Sequence, residues 1–135
     1  MSIEELDHTA DVMLRVRAPT IEALFSEAAR GMFQIMYGEC EGDSRTVTFT
    51  LHAHDLEELV QELLSELLYL SEVQEIVFCK CEVTMVGMSL TATATGIPFN
   101  PAQHRAGREI KGISFSGLTI VKEHESYGMD VIFDV

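Results

Sequence analysis

Two stretches of this chain carry an apolar stripe at helical spacing, and both need a flat surface to lie against. In the first, Ile21, Leu24, Phe25, Ala28, Ala29, Met32, Phe33 and Met36 recur at intervals of three and four, which lines them up along one side of a helix. In the second, Leu56, Leu59, Val60, Leu63, Leu64, Leu67 and Leu68 repeat the pattern. Thr20 stands where an N-cap belongs and Gly38 where the first helix should stop. Glu22 and Glu27 lie toward that helix's positive end. Asp55 with Glu58 three residues later is a capping box in which Asp replaces Ser or Thr.

The rest of the chain supplies the flat surface. Val12, Leu14 and Val16 alternate with Met13, Arg15 and Arg17, and Arg45–His52 alternates likewise with Val47, Phe49 and Leu51 on one side. This is the period of a half-buried strand. Ile76–Met85 and Ser89–Thr95 are rich in strand formers and meet at Gly87, which predicts a hairpin. Pro98, Asn100, Pro101 and Gly107 mark a loop. Glu109–Lys122 and Met129–Val135 predict a second hairpin that turns across Ser126-Tyr127-Gly128. The order is strand, helix, strand, helix and then four strands. The expected fold is α+β: two helices packed on a mostly antiparallel or mixed β-sheet. At 135 residues the chain is expected to form a single domain, 1–135.

Charge narrows the function. Nine Lys and Arg stand against 22 Asp and Glu, a net charge of −13. Such a surface repels phosphate backbones, so direct nucleic-acid binding is not expected, and it attracts cations and basic protein faces. The three cysteines, Cys40, Cys79 and Cys81, are an odd number, which suits a reducing compartment. Cys79 and Cys81 share a strand face by spacing but lack the second pair a structural zinc site needs, so they read as two small hydrophobes. The N-terminal residues are acidic where a signal peptide is basic, and no apolar run approaches the ~18 residues of a membrane span. A soluble, cytoplasmic protein with no membrane partner is expected. No nucleophile elbow, phosphate loop, dinucleotide fingerprint or zinc-protease helix occurs. His52 and His54 fall on one side of a strand, as metal ligands sometimes do. An edge-strand imidazole and one beside the Asp55 cap account for them better.

Chemistry concentrates at the two ends. Asp7, His8 and Asp11 fall within five residues just before a strand, and the chain closes on Val131-Ile132-Phe133-Asp134-Val135. A strand that runs to the last residue fixes the Val135 α-carboxylate beside Asp134, whereas most chain ends fray. If the first and last strands are sheet neighbours, three or four carboxylates converge, and a hard divalent cation with oxygen ligands is the natural way to neutralise them. The plainer reading makes Asp7 and Asp11 turn and capping residues.

Asp7-His8-Thr9-Ala10-Asp11, Glu109-Ile110-Lys111 and the closing Val131–Val135 segment resemble the archease family over essentially the whole chain. The resemblance implies a small acidic protein of mixed α/β fold. It implies a cofactor of the RNA ligase that joins a 3′-phosphate or cyclic-phosphate end to a 5′-hydroxyl in tRNA splicing and RNA repair. Such a cofactor speeds ligase guanylylation and restores turnover, with an essential metal site. On this resemblance Asp11, Asp134 and the Val135 carboxylate hold a divalent cation, Ca²⁺ first, with Mg²⁺ or Mn²⁺ as alternates. Asp7 and His8 match the same motif as structural residues or supports behind the ligands, and Lys111 touches the partner or an acid. The chain departs from the family at Gly112-Ile113-Ser114-Phe115-Ser116, where Tyr and His are usual. It also lacks the usual acid in Gly96-Ile97-Pro98-Phe99 and contains no Trp. These departures bear on partner contacts more than on the carboxylates. Two other functions draw on the same residues: a metal-dependent hydrolase of a small substrate, and a chaperone-like module whose acids keep it soluble.

Overall fold

A computed structural model describes residues 1–8, 11–101 and 109–135, without the side chains of residues 6–8. In chain order the elements are β1 (Ser2–His8), β2 (Asp11–Ala18), α1 (Ile21–Tyr37), β3 (Arg45–His52), α2 (Leu56–Val73), β4 (Ile76–Val86), β5 (Ser89–Pro98), β6 (Gly112–Ser114), β7 (Val121–Glu123) and β8 (Ser126–Asp134). The α+β class is as expected, but the strands form two antiparallel sheets instead of one. One runs β1-β2-β8-β6 with β7 also paired to β8, and the other runs β3-β5-β4.

Both helices begin as their sequences dictate. The Thr20 hydroxyl accepts the Ala23 N–H at 3.1 Å, and the Asp55 carboxylate accepts the Glu58 N–H at 2.8 Å. Helix α2 buries the Leu59, Leu63, Leu64 and Leu67 stripe against β3, β4 and β5. Helix α1 lies between the two sheets, against β1, β2 and β8 on one side and β4 on the other. That position buries Glu27, Gly31 and Ile35 in addition to its apolar stripe. The buried Glu27 is held by Arg30, which donates to its two carboxylate oxygens at 3.1 and 3.0 Å. Each helix also ties a carboxylate to a neighbouring backbone. Glu22 accepts the Met85 N–H of β4 at 2.9 Å, and Glu57 accepts the Ile120 N–H at 3.1 Å.

Four further readings of the sequence are corrected. Strand β1 was not foreseen, because Glu4 and Glu5 break the alternation and leave Ile3 as the inward-packing anchor. The segment 109–122 is not one strand. It holds β6 and β7, separated by a turn in which the Leu118 N–H reaches the Phe115 carbonyl at 3.1 Å. The last hairpin turns at His124-Glu125, with His124 at φ 54°, while Tyr127 and Gly128 lie inside β8. Finally, Cys79 is not a core hydrophobe beside Cys81. Phe78 pairs with Gly96 and Lys80 with the adjacent Thr95, so Cys79 is the extra residue of a β-bulge. The bulge turns Cys79 away from the core to form a disulfide with Cys40, while Cys81 stays buried and free. The Gly87 hairpin forms as expected, joining Val86 to Ser89. Gly107 lies outside the described residues. No helix among the described residues is long and apolar enough to cross a membrane.

Candidate metal centre

The sheet register decides where the two ends of the chain go. β2 and β8 are antiparallel neighbours, and Asp11 is the direct cross-strand partner of Asp134. On β2, Val12, Leu14 and Val16 face the core. On β8, Met129, Val131 and Phe133 do the same. Alternation therefore puts Asp11, Met13 and Arg15 of β2 on the solvent side with Asp130, Ile132 and Asp134 of β8. Directly opposed residues have Cβ atoms roughly 4.5–5.5 Å apart, within the span of one cation held by both carboxylates.

The row extends across four strands. His8 is paired in backbone register with Asp11, Asp11 with Asp134, and Asp134 with Gly112. At Gly112 an added Cβ would meet nothing within 4 Å, so space is open beside Asp134. The Lys111 N–H donates to the Asp134 carbonyl at 2.7 Å, which locks the Glu109-Ile110-Lys111 segment onto the end of β8. Ile110 anchors that segment in the core, and the Lys111 side chain is exposed. Val135 is half-buried against the core edge.

The structure thus brings together Asp11, Asp134, Val135 and the Lys111 backbone. Asp7 and His8 are placed only through their backbone, opposite Val12 and Asp11, and their side chains lie outside the described residues. Among the described residues, no group of three or more His, Cys, Asp or Glu is arranged to hold a metal ion. The donors at this row are the two aspartates, Asp11 and Asp134. An all-oxygen set suits Ca²⁺, Mg²⁺ or Mn²⁺ and is a poor match for the sulfur and imidazole sites of zinc. The two histidines named from the strand pattern do not join it. The His52 Nδ1 pairs with the Ser89 hydroxyl at 2.8 Å, and His54 lies exposed beyond the end of β3.

The sequence pattern of the archease protein family (MTH1598/TM1083) matches residues 3–135. The chain belongs to the archease family. Protein archease of Methanosarcina acetivorans is 35% identical over 140 residues, covering 98% of this chain and 94% of its own. The solution structure of Methanobacterium thermoautotrophicum protein 1598 is 28% identical, with a TM-score of 0.78 over 98% of each chain. A Thermotoga maritima archease, described as a possible chaperone, has a TM-score of 0.69 over 98% of this chain and 96% of its own. At 19% identity that likeness is one of fold alone.

Against the archease fold, one feature of the row escaped sequence reasoning. Arg15 and Asp130 form a two-pronged ion pair on the same two strands, at 3.0 and 3.3 Å. The signal was present in the alternation, since Arg15 and Asp130 are each four residues from Asp11 and Asp134. Only the register shows that they meet.

Proposed function

We propose that this protein is an accessory activator of the RNA ligase that joins 3′-phosphate and 5′-hydroxyl RNA ends in tRNA splicing and repair. In this reading it works in the cytoplasm and promotes ligase guanylylation and multiple turnover. Asp11, Asp134 and the Val135 carboxylate hold a divalent cation, Ca²⁺ first and Mg²⁺ or Mn²⁺ as alternates. When bound, the cation supplies a fixed positive centre to which phosphate oxygens or ligase carboxylates can be drawn.

The observation that carries this reading is the Asp11–Asp134 rung, where carboxylates from opposite ends of the chain face each other. The chain's own residues do the positioning. Phe133 and Val12 bury the core side of the neighbouring rung, and the Lys111 N–H fixes the backbone of Asp134. Asp7 and His8 support the row from β1, and Lys111 is a contact for the partner. The net charge of −13 lets an accessory protein dock on a nucleic-acid enzyme's basic face without competing for the RNA. Family membership supports the same reading.

The test is ligase guanylylation and multiple turnover with Asp11→Ala, Asp134→Ala and a chain extended by a few residues past Val135. Loss of stimulation in each is expected. Full stimulation by all three would end the proposal. A second reading is a chaperone, the role suggested for the Thermotoga protein by its own description. It predicts protection of unrelated client proteins that is insensitive to EDTA and to Asp11→Ala.

A further inference from the structure

We propose that the Cys40–Cys79 disulfide is a thiol-exchange site: a reversible cross-link, opened and closed by external thiols, between the α1–β3 connection and the bulge of β4. This goes beyond the ligase reading and does not depend on it.

Access is the first argument. Both cysteines are half-exposed, and the pair forms part of the wall of an open cleft of about 430 Å³, lined also by Glu41, Gly42, Asp43 and Lys80. A thiolate can therefore reach a sulfur without the core opening. The second argument is that neither cysteine belongs to the packing that holds the fold. Cys40 lies between α1 and β3, and Cys79 is the residue left out of register by the bulge. Phe78 and Cys81 on either side of the bulge make the core contacts. Opening the bridge frees the connection 38–44 while the β4–β5 ladder stays paired.

The charges around the cleft give the exchange a direction. Glu41 follows Cys40 directly and Asp43 lies three residues on, both in the cleft wall, whereas Lys80 adjoins Cys79. The Lys80 ammonium lies 3.7 Å from Glu82 on the exposed side of β4 but still lines the same cleft as Cys79, so developing negative charge is less disfavoured on Cys79 than on Cys40 beside its acids. A thiol with a better-stabilised anion leaves faster. An external thiolate therefore attacks the Cys40 sulfur, forming a mixed disulfide there, and the Sγ–Sγ bond breaks with its electron pair leaving on Cys79. A second thiolate attacks the external sulfur of the mixed disulfide and releases Cys40. The products are two protein thiols and one external disulfide, so two external thiols supply the two electrons. The third cysteine takes no part. Cys81 is buried, and burial pushes its thiol up to about 12, so it yields almost no nucleophilic thiolate near neutral pH.

The experiment follows thiol count in the folded full-length protein. Samples are equilibrated with reduced and oxidised glutathione, or with dithiothreitol, then acid-quenched, unfolded, alkylated and weighed. Oxidised protein should carry one alkyl group, on Cys81, and reduced protein three, with the two new thiols appearing together while the far-ultraviolet circular dichroism is unchanged. Glutathione trapped part-way should be found on Cys40. Lys80→Gln should slow reduction by about two- to threefold, and Cys81→Ser should leave it unchanged. Reduction only after unfolding, glutathione on Cys79, or a rate that depends on Cys81 would overturn the proposal. Exchange by dithiothreitol but not glutathione would assign the reductant to the dithiol class and still uphold the site.

Discussion

Asp11 and Asp134 face each other across β2 and β8, and four residues along the same two strands Arg15 and Asp130 face each other in the same way. At the second rung the charges are complementary, and Arg15 donates to both oxygens of Asp130. At the first they are alike. Like charges on directly opposed positions of a sheet disfavour one another, and a divalent cation held by both would relieve that. Of the two rungs, the Asp–Asp one gains more from a divalent cation.

That contrast gives a thermal-shift prediction. Ca²⁺ at a hundredfold excess over its Kd should stabilise the protein by about 2.7 kcal/mol, since only the folded state presents the opposed pair. Asp11→Asn and Asp134→Asn should each weaken the cation at least ~10-fold and shrink the shift accordingly. Arg15→Gln, on the same ladder but away from the pair, should keep it. Melting curves with Ca²⁺ and with EDTA make the comparison, and equal shifts in all four proteins would dissociate the cation from this row.

A second prediction concerns the bulge that re-aims Cys79. Gly96 stands opposite Phe78, and a Cβ there would collide with the Val77 carbonyl oxygen and lie 2.7 Å from the Phe78 Cα. Both are backbone atoms of β4, paired to β5 and pinned by the fully buried Val77 and Phe78 side chains, so they cannot easily move aside. Gly96→Ala should therefore destabilise the fold by about 3 kcal/mol or more. Chemical denaturation reads this directly, and a cost below about 1 kcal/mol would mean the bulge relaxes freely.

How much of this was legible in the sequence differs by element, for physical reasons. The helices were, because eight and seven apolar residues at three-and-four spacing leave little choice, and their caps followed. The separation into two sheets was not, because strand pairing is set by contacts far apart in sequence. It shows only in the structure, as the burial of Glu27, Gly31 and Ile35 on faces of α1 outside the stripe. The meeting of Asp11 with Asp134 was legible only as a condition. Each strand declared which face it buries, and nothing in either declared the other as neighbour. Cys79 misled because a bulge inserts one residue without a sequence mark. Strict alternation then assigned Cys79 to the face of Cys81.

The cross-link should also contribute to stability. The two cysteines are separated by 39 residues, a stretch that includes β3 and α2. Closing a loop of that length in the unfolded chain removes entropy worth about 4 kcal/mol at 25 °C in the chain-entropy picture. Oxidised protein should accordingly have a higher urea midpoint than reduced protein. Cys40→Ser and Cys79→Ser should match the reduced form and not respond to reductant. Identical midpoints for oxidised and reduced protein would show that the unfolded chain gains nothing from release.

The last prediction sets the alkaline limit of the fold. The Cys81 thiol is held up at about 12 by burial first and by Glu82 second, against an ordinary value of 9.0. Between these two values the unfolded chain loses the proton while the native state keeps it, so the native state binds more protons. Stability is therefore full below pH 9 and falls as the pH rises toward 12. Three pKa units correspond to a loss of order 4 kcal/mol across that window. Cys81→Ala removes this titration at the cost of a smaller side chain in the core. It should flatten the decline in stability between pH 9 and pH 11 relative to the parent, even where its absolute stability is lower. Denaturant midpoints for both proteins at closely spaced pH values provide the check, and parallel slopes would mean that Cys81 does not govern the alkaline transition.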